Sequence, residues 1–124
     1  MLDLYTLLSG IIEPVCPCFV EHYPTKLEKV YPYVELNSNL APNNQFSDTY
    51  LLQIDIWDNK DTDITEIESI SDAIHAALNY YNTVNSTIGI SINRNTPYKI
   101  ALPDPIIGIQ RKQLKYLVKV YKII

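Results

Sequence analysis

The sequence predicts an α+β fold: a mostly antiparallel sheet of about four to five strands, with a long amphipathic helix packed on one face and a short N-terminal helix. Three observations carry that expectation. Residues 50–57 (YLLQIDIW) alternate strictly in character, residues 64–81 repeat apolar positions at spacings of three and four, and residues 110–123 (QRKQLKYLVKVYKI) alternate again. Alternation marks strands with one buried face. Spacing of three and four marks a helix with one apolar stripe, lying on the sheet.

Residues 2–9 read as the short helix. Leu4, Leu7, Leu8 and Ile11 give it an apolar side, and Gly10 stands where a C-terminal cap belongs. Pro14, Pro17 and Pro24 then impose an extended connection, because proline lacks a backbone donor and restricts the residue before it. Residues 1–29 are thus a helix and a Pro-rich connection within a single domain, 1–124. A strand follows from Val30 to Ser38, with Val34 and Leu36 on one face and Tyr33 and Glu35 on the other. The polar stretch Asn39–Ser47 (NLAPNNQFS) joins it to the central strand as an antiparallel hairpin. Its shortage of apolar residues makes Asn39, Pro42, Asn43 and Asn44 a candidate mobile loop that orders on meeting a partner.

In the central strand, Tyr50, Leu52, Ile54 and Ile56 point one way, and Gln53, Asp55 and Trp57 the other. Asp55 lies mid-strand, so its face must reach water, a cation or a partner. Asp58-Asn59-Lys60-Asp61 is turn chemistry. Asp61 and Asp63 are both candidate helix caps, and Asp63 with Glu66 has capping-box spacing. Ile64, Ile67, Ile70, Ile74, Ala77, Leu78 and Tyr81 form the helical stripe, which Asn79 or Asn82 ends. Thr87–Asn93 is a further strand, Arg94-Asn95-Thr96-Pro97 a turn, and Tyr98–Leu102 a short strand stopped by Pro103 and Pro105. The closing strand sets Leu114, Tyr116, Val118 and Val120 against Lys115, Leu117, Lys119 and Tyr121, a second face half apolar and half basic.

Composition narrows the function classes. At 124 residues and 47% hydrophobic, one domain has apolar content enough for a core. A net charge of −4 and a pI near 5.0 argue against free nucleic acid as a ligand. The longest apolar run falls far short of a membrane span, and an N-terminus with an acid at position 3 and no basic region does not read as a signal peptide. Two cysteines point to free thiols rather than a disulfide scaffold.

Each candidate constellation has a simpler explanation. The acids Asp55, Asp58, Asp61, Asp63, Glu66 and Glu68 invite a metal site, yet neither register of an EF-hand loop supplies its sixth-position Gly and twelfth-position Glu. Caps and a solvated helix face explain them better. Cys16-Pro17-Cys18 with His22 lacks the usual C-x-x-C spacing and a second ligand pair for structural zinc. His75 has no Ser or Cys motif around it, and three glycines cannot build a phosphate loop. No catalytic, cofactor-binding or metal-binding residue is assigned, and the chain is not expected to be an enzyme. The one basic cluster comprises Arg111, Lys112, Lys115, Lys119 and Lys122. It serves either cross-strand pairing with acids such as Asp55 or Glu35, or a subunit contact that needs charge complementarity; the two are compatible. Asp55, Trp57, Arg111, Lys112, Lys115 and Lys119 are the candidate interface.

The stretch LLQIDIWDNKDTDITEIESISDAIHAALN, the closing RKQLKYLVKVYKI and the upstream YPYVEL together resemble the tail-terminator (tail-completion, tail-to-head joining) proteins of long-tailed bacteriophages. The resemblance covers residues 30–123 and rests on core patterns, not catalytic ones. It implies an antiparallel sheet with flanking helices. It further implies a hexameric ring on the head-proximal end of the tail tube, which stops tube growth and meets the head connector. The implied partners are further copies of this chain, the major tail tube protein and the head-closure protein; DNA passes through without specific binding, and no membrane is involved. The implied location is the virion tail or neck, after synthesis in the host cytoplasm. Two other functions remain open: another neck or head-closure component, and a small-molecule-binding α+β regulatory module.

Overall fold

The structure is a computed structural model that describes residues 2–40, 47–84, 88–102 and 106–122. It contains two helices, α1 (Leu2–Ile12) and α2 (Thr65–Leu78), and six strands: β1 (Cys18–Val20), β2 (Tyr33–Leu40), β3 (Ser47–Asp58), β4 (Asn82–Val84), β5 (Ile88–Leu102) and β6 (Gln110–Lys122). The strands form one sheet in the order β1-β2-β3-β6-β5-β4. All neighbours are antiparallel except β1 and β2, which run parallel.

This corrects the α+β expectation. The chain is mostly sheet, 49% strand against 22% helix, curled into a mixed half-barrel, and both helices are short. Three causes separate expectation from structure. The two outermost strands are three residues long, too short to show alternation. The stretch read as a turn at Arg94–Pro97 is an irregularity inside one fifteen-residue strand: the pairing with β6 shifts register between Arg94 and Lys99 and then continues. Finally, α2 stops at Leu78, where Asn79 turns to extended backbone and Tyr80 takes a left-handed conformation (φ 62°).

The core lies between one sheet face and both helices. Leu36, Ile54, Leu114, Val118 and Ile92 stand on adjacent strands and are fully buried, and Ile67, Ile70, Ile74 and Leu78 of α2 close over them. Leu4, Leu8 and Ile12 of α1 extend the same cluster, so this helix runs past Gly10 instead of ending there. Three ion pairs fasten α2 to the sheet: Glu68 accepts from Lys112 of β6 at 2.8 Å and from Lys99 of β5, and Lys99 also lies 3.8 Å from Asp72. These lysines and Tyr116 on β6 hold the carboxylate and imidazole of α2 above the sheet.

The start of α2 differs from the expected capping box. Ile64 occupies the cap position without a side-chain bond, and the Asp63 carboxylate accepts instead from the Thr65 N–H at 3.0 Å. Asp61 has a left-handed backbone (φ 57°) and marks a turn. That turn is tied to the one before β6. The Asp61 N–H donates to the Gly108 carbonyl at 3.2 Å, and the Gln110 side-chain amide donates to the carbonyls of Asp61 and Asp63 at 2.6 and 2.9 Å. Gly108 adopts φ 88°, which favours glycine at this point of the turn.

Candidate interaction face of the sheet

The sheet has a second face, away from both helices, and register fixes who meets there. Trp57 of β3 stands between Tyr33 of β2 and Arg111 of β6. The Tyr33 and Trp57 rings stack at 5.2 Å and 14°, and the Arg111 guanidinium lies 4.9 Å over the indole. Next along the strands, Asp55 sits between Glu35 and Gln113. Only 2% of Asp55 is exposed, so a lone carboxylate there would be costly. It is fully engaged: Arg111 Nη2 donates at 3.1 Å, Gln113 Nε2 at 3.0 Å and Gln53 Nε2 at 3.0 Å.

The Pro-rich segment folds back over this end. Phe19 and Tyr23 pack on one another at 4.4 Å, and Tyr23 meets the edge of Tyr33 at 4.7 Å. The Tyr23 N–H donates to the Glu35 carboxylate, and its hydroxyl donates to the Glu28 carbonyl at 3.1 Å. Asp55, Trp57 and Arg111 therefore belong to one internal polar and aromatic cluster. The signal that could have found it was parity: Tyr33 and Glu35 share the face of Trp57 and Asp55 whenever the hairpin is in this register.

The other half of the same face is open. Lys115 lies opposite Gln53, Leu117 opposite Leu51, Lys119 opposite Thr49 and Tyr121 opposite Ser47. Leu117 is 39% and Tyr121 41% exposed. Among the described residues neither Lys115 nor Lys119 forms an ion pair, because Asp55 is taken by Arg111 and Glu35 by the Tyr23 backbone. The expected interface thus divides in three. Asp55, Trp57 and Arg111 are internal, Lys112 points to the helix side and holds Glu68, and Lys115 and Lys119 remain on the open face. Of the candidate mobile loop, Asn39 is paired with Leu51 inside β2, while Pro42, Asn43 and Asn44 lie outside the described residues.

On the helix side, His75 Nδ1 and the Tyr116 hydroxyl are 2.7 Å apart, and the imidazole stacks on Tyr98 at 4.3 Å. Burial, then the nearby Arg94 and Lys99 cations, lower the His75 pKa from its ordinary 6.5; Asp72 opposes them. A lowered histidine pKa means that the unfolded chain binds the proton more tightly than the folded one. Stability is therefore expected to fall as pH drops through 6.5 toward the folded value, and to be constant above it as far as this group is concerned. Urea midpoints at pH 7.5 and 5.5 check this: the loss on acidification is expected to shrink in His75→Gln. An equal loss in both proteins would contradict it. The carboxylate of Glu68, lowered by its bonds to Lys112 and Lys99, adds stability that is present above its unfolded 4.5 and is lost in more acidic solution.

Cys16 is buried just after the turn that follows α1, and Cys18 lies on β1; burial first, and then neighbouring charge including Glu13, pushes both thiols up to about 12. At neutral pH they are protonated and poorly nucleophilic. Among the described residues no three His, Cys, Asp or Glu side chains converge as a metal site, and no helix is long and apolar enough to cross a membrane. Models of known protein families and curated proteins were compared with the chain, and none matches.

Proposed function

We propose that this chain is a structural virion assembly protein, which caps the head-proximal end of a phage tail tube, ends its polymerisation and joins the tail to the head connector. The observation that carries the reading is the open half of the second sheet face. There two lysines without an acidic partner among the described residues alternate with Leu117 and Tyr121, on a central strand and away from the core. Cationic side chains interleaved with exposed apolar ones suit a protein surface, where charge selects the partner and apolar area supplies contact. The sequence resemblance to tail terminators gives that partner its identity, and the overall charge of −4 suits a passage through which DNA moves without sticking.

Electron microscopy of particles made without the protein tests the proposal. Tails of uncontrolled length are expected. Tails of normal length that fail to join heads would transfer the protein to a neighbouring neck role. Normal, infectious particles would sink the assembly reading altogether.

A further inference from the structure

The end of the molecule where α2 begins carries a second unusual surface. Ile107 is 97% exposed, Ile106 and Ile64 are also exposed, and all three sit on the two turns that Gln110 ties together. Bonding between the turns makes them one body, so the isoleucines project from a fixed knob and not from a loose tip. Exposed apolar clusters of this kind mark contact sites. The knob is acidic. Asp61 and Asp63 are exposed and make no ion pair among the described residues, whereas Lys60 is committed to Asp58 and Glu66.

We infer that this knob docks on the open sheet face of a second copy of the chain, Ile106 and Ile107 against Leu117 and Tyr121, and Asp61 and Asp63 against Lys115 and Lys119. Two properties select that occupant. The surfaces match in kind, each a small apolar patch flanked by charge, and they are opposite in sign. They also cannot meet within one chain. The knob precedes the first residue of β6 and lies on the helix side, while Tyr121 lies eleven residues further along on the other face, about 36 Å away at roughly 3.3 Å per residue if the strand were straight. A contact between two different patches is heterologous, so it builds closed rings or open filaments and not a two-fold dimer. The inference rests on the assembly reading for its setting in a tail ring, but its geometry stands on this chain alone.

Sedimentation of the purified full chain over a wide concentration range tests it. The parent protein is expected to associate at high concentration, less so as salt rises. Lys115→Glu with Lys119→Glu, and separately Asp61→Lys with Asp63→Lys, are each expected to weaken association by about tenfold or more. Mixing the two variants is expected to restore it, since each then offers the complement of the other. Ile107→Asp, at a position that packs on nothing in the fold, is expected to abolish association and keeps the test decisive if a charge variant misfolds. A parent protein that is monomeric throughout, reversals without effect, or a mixture that stays dissociated would each overturn the inference. Restored association together with normal particles in the absence of the protein would instead leave this contact standing and remove the tail-terminator role.

Discussion

Arg111→Ala is expected to destabilise the fold by about 2–3 kcal/mol, because it leaves the Asp55 carboxylate buried without its cation. Loss of one partner from a fully buried pair costs about 3–5 kcal/mol, and the cost is lower here because the Arg111 side chain is partly exposed and screened. The guanidinium also leaves the Trp57 ring, a contact that contributes about 0.5–1 kcal/mol at such a site. Gln113 and Gln53 still donate to Asp55, so the carboxylate is not wholly abandoned. Urea unfolding measures the loss directly. Removing the charge as well, in Asp55→Asn with Arg111→Ala, is expected to cost less than the single Arg111 change, since no buried ion is then left unpaired. A neutral Arg111→Ala would show that the cluster does not hold this face together.

Ile54→Ala is expected to cost more still, about 3–4 kcal/mol. Ile54 is fully buried at the centre of the sheet, between Leu36 and Leu114, with α2 above. Backbone hydrogen bonds on both sides hold β3 in place, so the sheet cannot collapse into the space a shortened side chain leaves. The matched control is Leu117→Ala on the opposite face, where exposure makes a change within about 0.5 kcal/mol the expected result. The contrast between these two positions tests which face is core and which is open. Comparable losses at both would mean that the second face is packed.

Much of the helix side was legible. The strict alternation of residues 50–57 and 114–120 names the core faces of β3 and β6, and the isoleucine spacing of residues 67–78 names the buried side of α2. Burial of one sheet face and one helix stripe is what such periods encode, so these elements could be read without a structure. What escaped the reading has no period. A three-residue strand such as Cys18–Val20 or Asn82–Val84 owes its conformation to a neighbour and not to its own pattern. Asn95 and Pro97 look like a turn, but β6 runs unbroken beside them, and a bulge accommodates them within the sheet.

The candidate interface was legible only in part, for a different reason. Charge pattern shows that a lysine exists, not whom it meets. Lys112 stands two residues from Leu114, so parity alone assigns it to the helix side, on the face opposite Lys115. Asp55 shows the converse. A mid-strand acid must be compensated, but only register reveals that Arg111, Gln113 and Gln53 compensate it inside the chain. That internal pairing is also what leaves Lys115 and Lys119 available for an outside partner.

Particles assembled with the Lys115→Glu, Lys119→Glu chain as their only copy of this protein test most directly whether the helix-free sheet face performs the assembly. The urea midpoint of that chain is expected to match the parent, since neither lysine forms an ion pair among the described residues. With folding intact, electron microscopy is expected to show tails of uncontrolled length and heads without tails. Normal tails joined to heads would contradict the account.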